Sequence, residues 1–209
     1  MHMPVNEGGA FEQPPSGTHM AICYRVIDLG TQTTVWEGDT KHQRKVLLTW
    51  ELPDELMEDN RPFMVSNRYT LSSHEKAKLR QDLEGWRGKR FTEADFGPGG
   101  FDIKNIIGKP CLLSLVQKDK DGRTYTNIAS VSAPPKGMTV PAQTNVSVYF
   151  SLDTFDQAVF DALSDNLKGV IMTSPEYQSL NRPNETRVIG YPQESAAEAD
   201  ENLDDDIPF

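Results

Sequence analysis

Apolar and polar positions begin to alternate near Thr18. Three segments read as successive β-strands: THMAICYRVIDLG from Thr18 to Gly30, KHQRKVLLTWEL from Lys41 to Leu52, and RPFMVSNRYTL from Arg61 to Leu71. The acidic loop PDELMEDN separates the last two. The period then changes. Between Ser72 and Gly85 a helix is predicted: Leu79, Leu83 and Trp86 recur at helical spacing, Ser72 and Glu75 have the spacing of a capping box, and Gly85 offers a stop. After the turn GPGG and the short apolar stretch FDIKNIIG, strand patterning returns in KPCLLSLVQK from Lys109 to Lys118. The tight-turn dipeptide Asp121-Gly122 then leads into RTYTNIASV from Arg123 to Val131, completing a hairpin.

Five strands with a helix between the third and fourth are the strand count and helix placement of an OB-fold, a small Greek-key barrel. The expected fold class is therefore mainly β, a five-stranded OB-fold barrel with a C-terminal helical extension. SAPPKGMTVPAQ reads as a linker and VSVYFSL as an additional edge strand. A second capping box, Thr154 and Gln157, opens a helix with Phe155, Ala158, Val159, Ala162 and Leu163 on one apolar face. Ser174-Pro175-Glu176 starts a last short helix. Three regions result: a flexible N-terminal arm over 1–17, a domain over 18–177, and a disordered acidic tail over 178–209.

Composition sharpens this picture. With 15 Gly, 14 Pro and 37% hydrophobic residues in a chain of 209, a helical bundle is disfavoured. No window reaches the roughly 18 consecutive apolar residues of a membrane span, and the first residues lack a secretory pattern, so a cytoplasmic protein is expected. Cys23 and Cys111 sit in apolar runs without metal-ligand spacing, as buried free thiols would. The net charge of −10 is unevenly spread. Seven acids and no bases fall between Glu194 and Phe209, whereas Lys41 to Lys136 holds 17 bases against 13 acids. A mildly basic body carries a strongly acidic tail.

No catalytic constellation stands out, and no cofactor is implied. Asp54, Glu55, Glu58 and Asp59 are close in sequence but lack a His or a second cluster, so a solvated loop is the better reading than a metal site. Asp119 to Gly122 fails as a calcium loop because Ser130 stands where a bidentate acid is required. GPGG lacks the lysine of a phosphate loop. Basic residues interleaved with aromatics are the stronger signal: Arg44, Lys45 and Trp50 in the second strand, Arg68 and Tyr69 in the third, and Lys118, Lys120, Arg123 and Tyr125 on the last hairpin. The stretch Trp86-Arg87-Gly88-Lys89-Arg90 adds to them. Cations that follow phosphates and rings that stack on bases are what single-strand binding needs. Trp50, Tyr69 and Trp86 have an equally good reading as core residues, whereas cations rarely sit inside a small barrel.

The tail ends Asp204-Asp205-Asp206-Ile207-Pro208-Phe209. A ring beside a free carboxylate, with acids upstream, describes a peptide that docks on a basic, pocketed surface. These six residues resemble the C-terminal tip of bacterial single-stranded DNA-binding proteins, which recruits replication, recombination and repair enzymes in that family. From about Thr18 to Tyr177 the chain is similar to a family of bacteriophage single-stranded DNA-binding proteins with an OB-fold core. The similarity is carried by TWELP, SNRYTLS, LEGWRGKRFT, FDIKNIIGKPC, YTNIASV and the following PPKG. It implies an OB-fold and DNA binding, and joined to the reading of the residues it gives the expectation of a phage-encoded, non-catalytic protein that coats single-stranded DNA in replication or recombination, in the host cytoplasm and without sequence preference. Two rivals differ in class: an interaction module that imitates the host tail without binding DNA, and an acidic DNA mimic. A metal-dependent nuclease is more distant. A homo-oligomer is compatible with the chain, since the C-terminal helices could form a dimer interface or cap the barrel.

Overall fold

In the computed structural model, residues 12–36, 38–120 and 123–180 are described, without the side chains of Trp36, Lys120 and Arg123. The acidic tip at 204–209, the Asp121-Gly122 turn, and the side-chain assignments of Lys120 and Arg123 therefore fall outside the described residues. Six strands form one largely antiparallel sheet: β1 (Gly17–Trp36), β2 (Asp39–Leu56), β3 (Pro62–Thr70), β4 (Pro110–Lys120), β5 (Arg123–Ser132) and β6 (Val148–Phe150). The hydrogen-bonded order is β3-β2-β1-β4-β5, and β6 joins β1 in parallel. The path ends at β3 and β5 without closing, so the sheet is open rather than a closed barrel.

β1 makes this arrangement possible because it is long and interrupted. Gly17 to Ile22 pairs with β4 and Ile22 to Trp36 with β2, with register shifts between Cys23 and Arg25 and between Asp28 and Gly30. Such irregularities bend a strand and increase its twist. Inward residues of β1 to β5 then meet in one core that includes Cys23, Val26, Leu48, Trp50, Val65, Tyr69, Cys111, Leu113 and Val131. The opposite face of β1 buries Ile27 and Leu29 in a second core, with Phe150, Phe160, Leu167 and Ile171.

Helix α1 (Lys78–Arg87) lies between β3 and β4 and contributes Leu79, Leu83 and Trp86 to the first core. It starts later than the Ser72/Glu75 pattern predicts. Ser72 Oγ accepts from the His74 backbone N–H at 3.2 Å, forming a local turn, and the N-cap is Ala77, which supplies no side-chain cap. Gly85 lies within the helix, and Gly88 ends it at φ 67°. The reason for Gly85 is proximity: a Cβ there would lie 2.5 Å from the Val131 carbonyl oxygen.

The C-terminal part is three short helices, α2 (Gln157–Asp161), α3 (Asp165–Met172) and α4 (Pro175–Leu180). Asp156 caps α2 by accepting from Ala158 N and Val159 N, so the expected Thr154/Gln157 box does not form. α3 was not expected, and α4 carries ordered chain to Leu180, past the start of the predicted tail. β1 starts at Gly17, and the Pro14 carbonyl accepts from Gln117 Nε2 and Thr126 Oγ1 on the β4–β5 hairpin, at 3.2 and 3.1 Å. Among the described residues no helix is long and apolar enough to cross a membrane.

Candidate nucleic-acid interface

Strand pleating sorts the sequence-predicted residues. Successive side chains point to opposite faces, so residues adjacent in sequence are separated by the sheet. On β2, Val46, Leu48, Trp50 and Leu52 point inward. Trp50 is 1% exposed and packs against Tyr69 and Trp86, with ring centroids 6.5 and 6.1 Å away. Tyr69 is 2% exposed and donates its hydroxyl proton to Asp82 Oδ2 at 2.9 Å. Burial, followed by the nearby Asp82 charge, drives its phenol well above the usual range. Neither Trp50 nor Tyr69 presents a ring face to solvent, which corrects their assignment as base-stacking residues. Trp86 is likewise core, with its indole N–H donating to the Pro110 carbonyl at 2.7 Å.

Arg44 is corrected too. Its guanidinium pairs with buried Asp28 and, at 2.9 Å, with Asp153. The hydrogen bond to Asp28 is the main reason its pKa rises. Asp28 also accepts from Gly30 N at 3.0 Å and Leu152 N at 3.1 Å, so this cation anchors a bend of β1 to the segment after β6. Its charge is spent within the fold.

On the opposite face of β2, Leu47, Thr49 and Glu51 are buried, Leu47 in the second core, and the accessible part is Lys45 with the neighbouring row of β3. Lys45 Nζ donates to Gln43 Oε1 at 2.8 Å and to Thr70 Oγ1 on the neighbouring strand at 2.6 Å, both neutral partners. Arg68 is exposed, opposite Leu47 in the register, and Thr70 lies opposite Lys45. Ser66 is exposed and shares a 3.0 Å hydrogen bond with Thr49 across the strands. Met64, Ser66, Arg68 and Thr70 thus form the outward row of β3, with Gln43 and Lys45 beside it on β2. No described carboxylate forms an ion pair with Lys45 or Arg68.

One acid does lie on this outward side. Glu51 is fully buried because the linker after β5 covers it: its carboxylate accepts from Thr144 N, Asn145 N and Asn145 Nδ2 at 2.6, 2.7 and 2.6 Å. Three donors satisfy the carboxylate locally, and the linker stands between it and any ligand on the face.

The β4–β5 hairpin carries Lys118 opposite Tyr125. Both are exposed, Tyr125 at 45%, so this is the one sequence-predicted aromatic with a ring available for stacking. The motif after α1 splits in a similar way. Arg87 pairs with Asp95 at 2.9 Å and lies 4.1 Å from the Phe91 ring centroid, whereas Lys89 and Arg90 are exposed.

Two of the four carboxylates weighed as a metal site are engaged elsewhere: Glu55 contacts His19 at 2.9 Å and Asp59 pairs with Arg61 at 2.6 Å. Arg25 was missed by the sequence reading. It lines a groove of about 600 Å³ with Ser147, Val148 and Val159, its guanidinium is 5.3 Å from the Tyr24 ring centroid, and its Nε is buried without a hydrogen-bond partner. The available signal was a cation in the middle of the apolar run MAICYRVIDL. In the register Arg25 stands beside Thr49, which stands beside Ser66, so the three form one row across β1, β2 and β3. No protein-family model matches the chain, and comparison with curated proteins finds no match.

Proposed function

We propose that the protein coats single-stranded DNA without sequence preference and without catalysis, using the outward face of β2 and β3. The observation that carries the reading is the segregation of charge on those strands: Arg44 is neutralised by two aspartates, while Lys45 and Arg68 face outward without acidic partners. A chain of net charge −10 that keeps Lys45 and Arg68 free of acidic partners, with the one nearby carboxylate of Glu51 buried under the linker, has a surface suited to a polyanion. The architecture supports the same reading. A sheet in which β1 lies between β2 and β4, with a helix between β3 and β4, is compatible with an OB-fold, a fold whose strand 2–3 face and hairpin loops bind oligonucleotides.

In this reading Lys45 and Arg68 follow phosphates, and Lys118 with Tyr125 offers a cation and a stacking ring at the β4–β5 hairpin. The acidic tip at 204–209 recruits replication, recombination and repair proteins, as its resemblance to bacterial single-stranded DNA-binding proteins implies. While DNA is absent, the acidic tail competes for the same cations.

The test is fluorescence anisotropy with end-labelled oligo(dT) of about 16 nucleotides, within the span of a single OB-fold site, beside a duplex of equal length, at low and moderate salt. A label is needed because Trp50 and Trp86 are buried. The expected result is salt-sensitive binding of the single strand and much weaker binding of the duplex. Equal affinity for both, or none for either, refutes the reading. Removing residues 194–209 is expected to raise affinity, most at low salt.

A further inference from the structure

β3 is an edge strand, and residues that follow it between Ser72 and Lys78 share a groove with Asn67, Arg68 and Thr70 of the strand. Leu71 N–H is held by the Arg44 carbonyl at 2.8 Å, and a turn follows in which Ala77 N–H donates to the His74 carbonyl at 2.8 Å and Lys76 N–H to His74 Nδ1 at 3.1 Å. Between this turn and the strand lies a groove of about 510 Å³, lined among others by Gln43, Asn67, Arg68, Thr70, His74 and Lys76. Its lining contains no carboxylate. Glu75, in the same turn, is exposed but does not line it, and Asp82 beneath is occupied by the Tyr69 hydroxyl at 2.9 Å and Lys78 Nζ at 2.7 Å.

The chemistry of the lining is that of a phosphodiester receptor. Arg68 and Lys76 are exposed cations without a described acidic partner. Asn67 and Gln43 bring amide donors and Thr70 a hydroxyl. With Nδ1 accepting from the backbone, the neutral His74 ring carries its proton on Nε2 and is a further donor. The groove is also continuous with the face already described, because Gln43, Arg68 and Thr70 belong to both. Lys76 and Arg68 share this groove, whose lining holds no acid, while Glu75 stands exposed beside it in the turn.

We propose that this groove takes the phosphodiester backbone of the same single strand as it leaves the β2–β3 face, so that the strand turns over the β3 edge and the binding site extends to His74 and Lys76. The inference rests on the reading that the face binds single-stranded DNA. It adds a path, an exit point and two contact residues outside the sheet.

The experiment varies oligonucleotide length. Full-length wild type, Lys76→Ala and His74→Glu are titrated with labelled oligo(dT) from about 4 to about 16 nucleotides over a series of salt concentrations. Both positions are exposed, and thermal melts establish that the variants fold as the wild type does. For the longest strands, Lys76→Ala is expected to reduce affinity several-fold at low salt and to lower the salt slope by about 0.7, the share of one phosphate contact on a single strand. His74→Glu is expected to weaken long strands by more. For the shortest strands that bind, both variants should match the wild type.

Unchanged slopes at every length overturn the proposal, because the groove is then off the path. Equal losses at every length overturn it as well, because Lys76 then belongs to the primary face. A rise in affinity at all lengths with Lys76→Ala assigns the groove to the chain's own acidic tail and also overturns it. Failure of the wild type to bind any strand refutes the function itself, and the wild-type titration alone distinguishes that failure from the others.

Discussion

Arg44 and Lys45 are neighbours in sequence and opposites in role, and so are Arg68 and Tyr69. One member of each pair belongs to the inner side of the sheet, where Trp50, Tyr69 and Trp86 pack together and Arg44 is clamped by Asp28 and Asp153. The other belongs to the outer side, where Lys45 and Arg68 meet only neutral partners or solvent. Interleaved cations and aromatics are therefore not a single surface here. Pleating divides them into an aromatic interior that holds the fold and a cationic exterior free to hold a ligand.

The division is broken most severely from inside. Trp50→Ala removes a ring wedged between Tyr69 and Trp86 and is expected to cost about 3–5 kcal/mol of stability, the range for large aromatic truncations in a core. Against a total stability of about 5–15 kcal/mol this is a substantial fraction. Chemical denaturation measures it. Oligonucleotide affinity, taken at a temperature where the variant stays folded, should match the wild type; a selective loss of affinity with intact stability would return Trp50 to the binding surface.

The outer face should respond in the converse way. Replacing both outward cations, Lys45→Ala with Arg68→Ala, is expected to leave the denaturation midpoint nearly unchanged, since surface substitutions away from special features fall within about 0.5 kcal/mol. Affinity for single strands should fall by about tenfold or more at low salt, and the salt slope should drop by about 1.4, two phosphate contacts' worth. Salt-series anisotropy reads both quantities. A stability loss as large as that of Trp50→Ala would mean the two faces are not functionally separate.

Much of the fold was legible in the sequence because its signals are local. Runs of β-branched and aromatic residues placed β2 to β5, and Leu79, Leu83 and Trp86 placed α1 by their spacing. The polar stretch Thr31 to Trp36 was not legible as part of β1, because it is held there by pairing with β2 out to Asp39 rather than by burial. α3 is marked only weakly in the sequence: Ser164 stands at its N-cap without a side-chain cap, and only Leu167 and Ile171 recur at helical spacing as its buried residues. At the site, the cations were found but not sorted. Alternation assigns Lys45 and Arg68 outward once the strand register is known, yet the fate of Arg44 depends on Asp28, sixteen residues away, and on Asp153, which no local pattern connects to it.

That long-range pairing yields a smaller effect than the core truncation. Arg44→Ala leaves Asp28, only 8% exposed, with two backbone donors and no cation, an expected loss of about 1–3 kcal/mol. Lys45→Ala, one residue on, should alter stability by no more than about 0.5 kcal/mol. The two variants measured side by side sharpen the comparison between faces to a single step along one strand. Equal stability losses would show that the Asp28 pair contributes little and that Arg44 is as available for a ligand as Lys45.

The gentlest probe is chemical. Cys23 and Cys111 lie on the inner face, both fully buried, and burial pushes the Cys23 thiol up to about 12 and raises Cys111 in the same direction. Neither forms thiolate near neutral pH, so neither should react with a thiol reagent until the protein unfolds. Ser66→Cys puts a thiol on the exposed outer row, where an ordinary pKa of about 8.5 applies and labelling at pH 8 should be fast. Bound oligo(dT) should slow that labelling and leave the two native thiols as silent as before. The same burial sets a pH limit on the fold. Well below the ordinary thiol pKa of about 8.5 the Cys23 thiol is protonated in both states and contributes nothing to pH dependence. From about 8.5 to about 12 the unfolded chain loses this proton while the folded chain keeps it, so stability falls as pH rises. Native-state labelling of Cys23 at the rate of the Ser66→Cys thiol would contradict its placement inside. Labelling of the Ser66→Cys thiol at one rate with and without the strand would remove Ser66 from the path of the DNA.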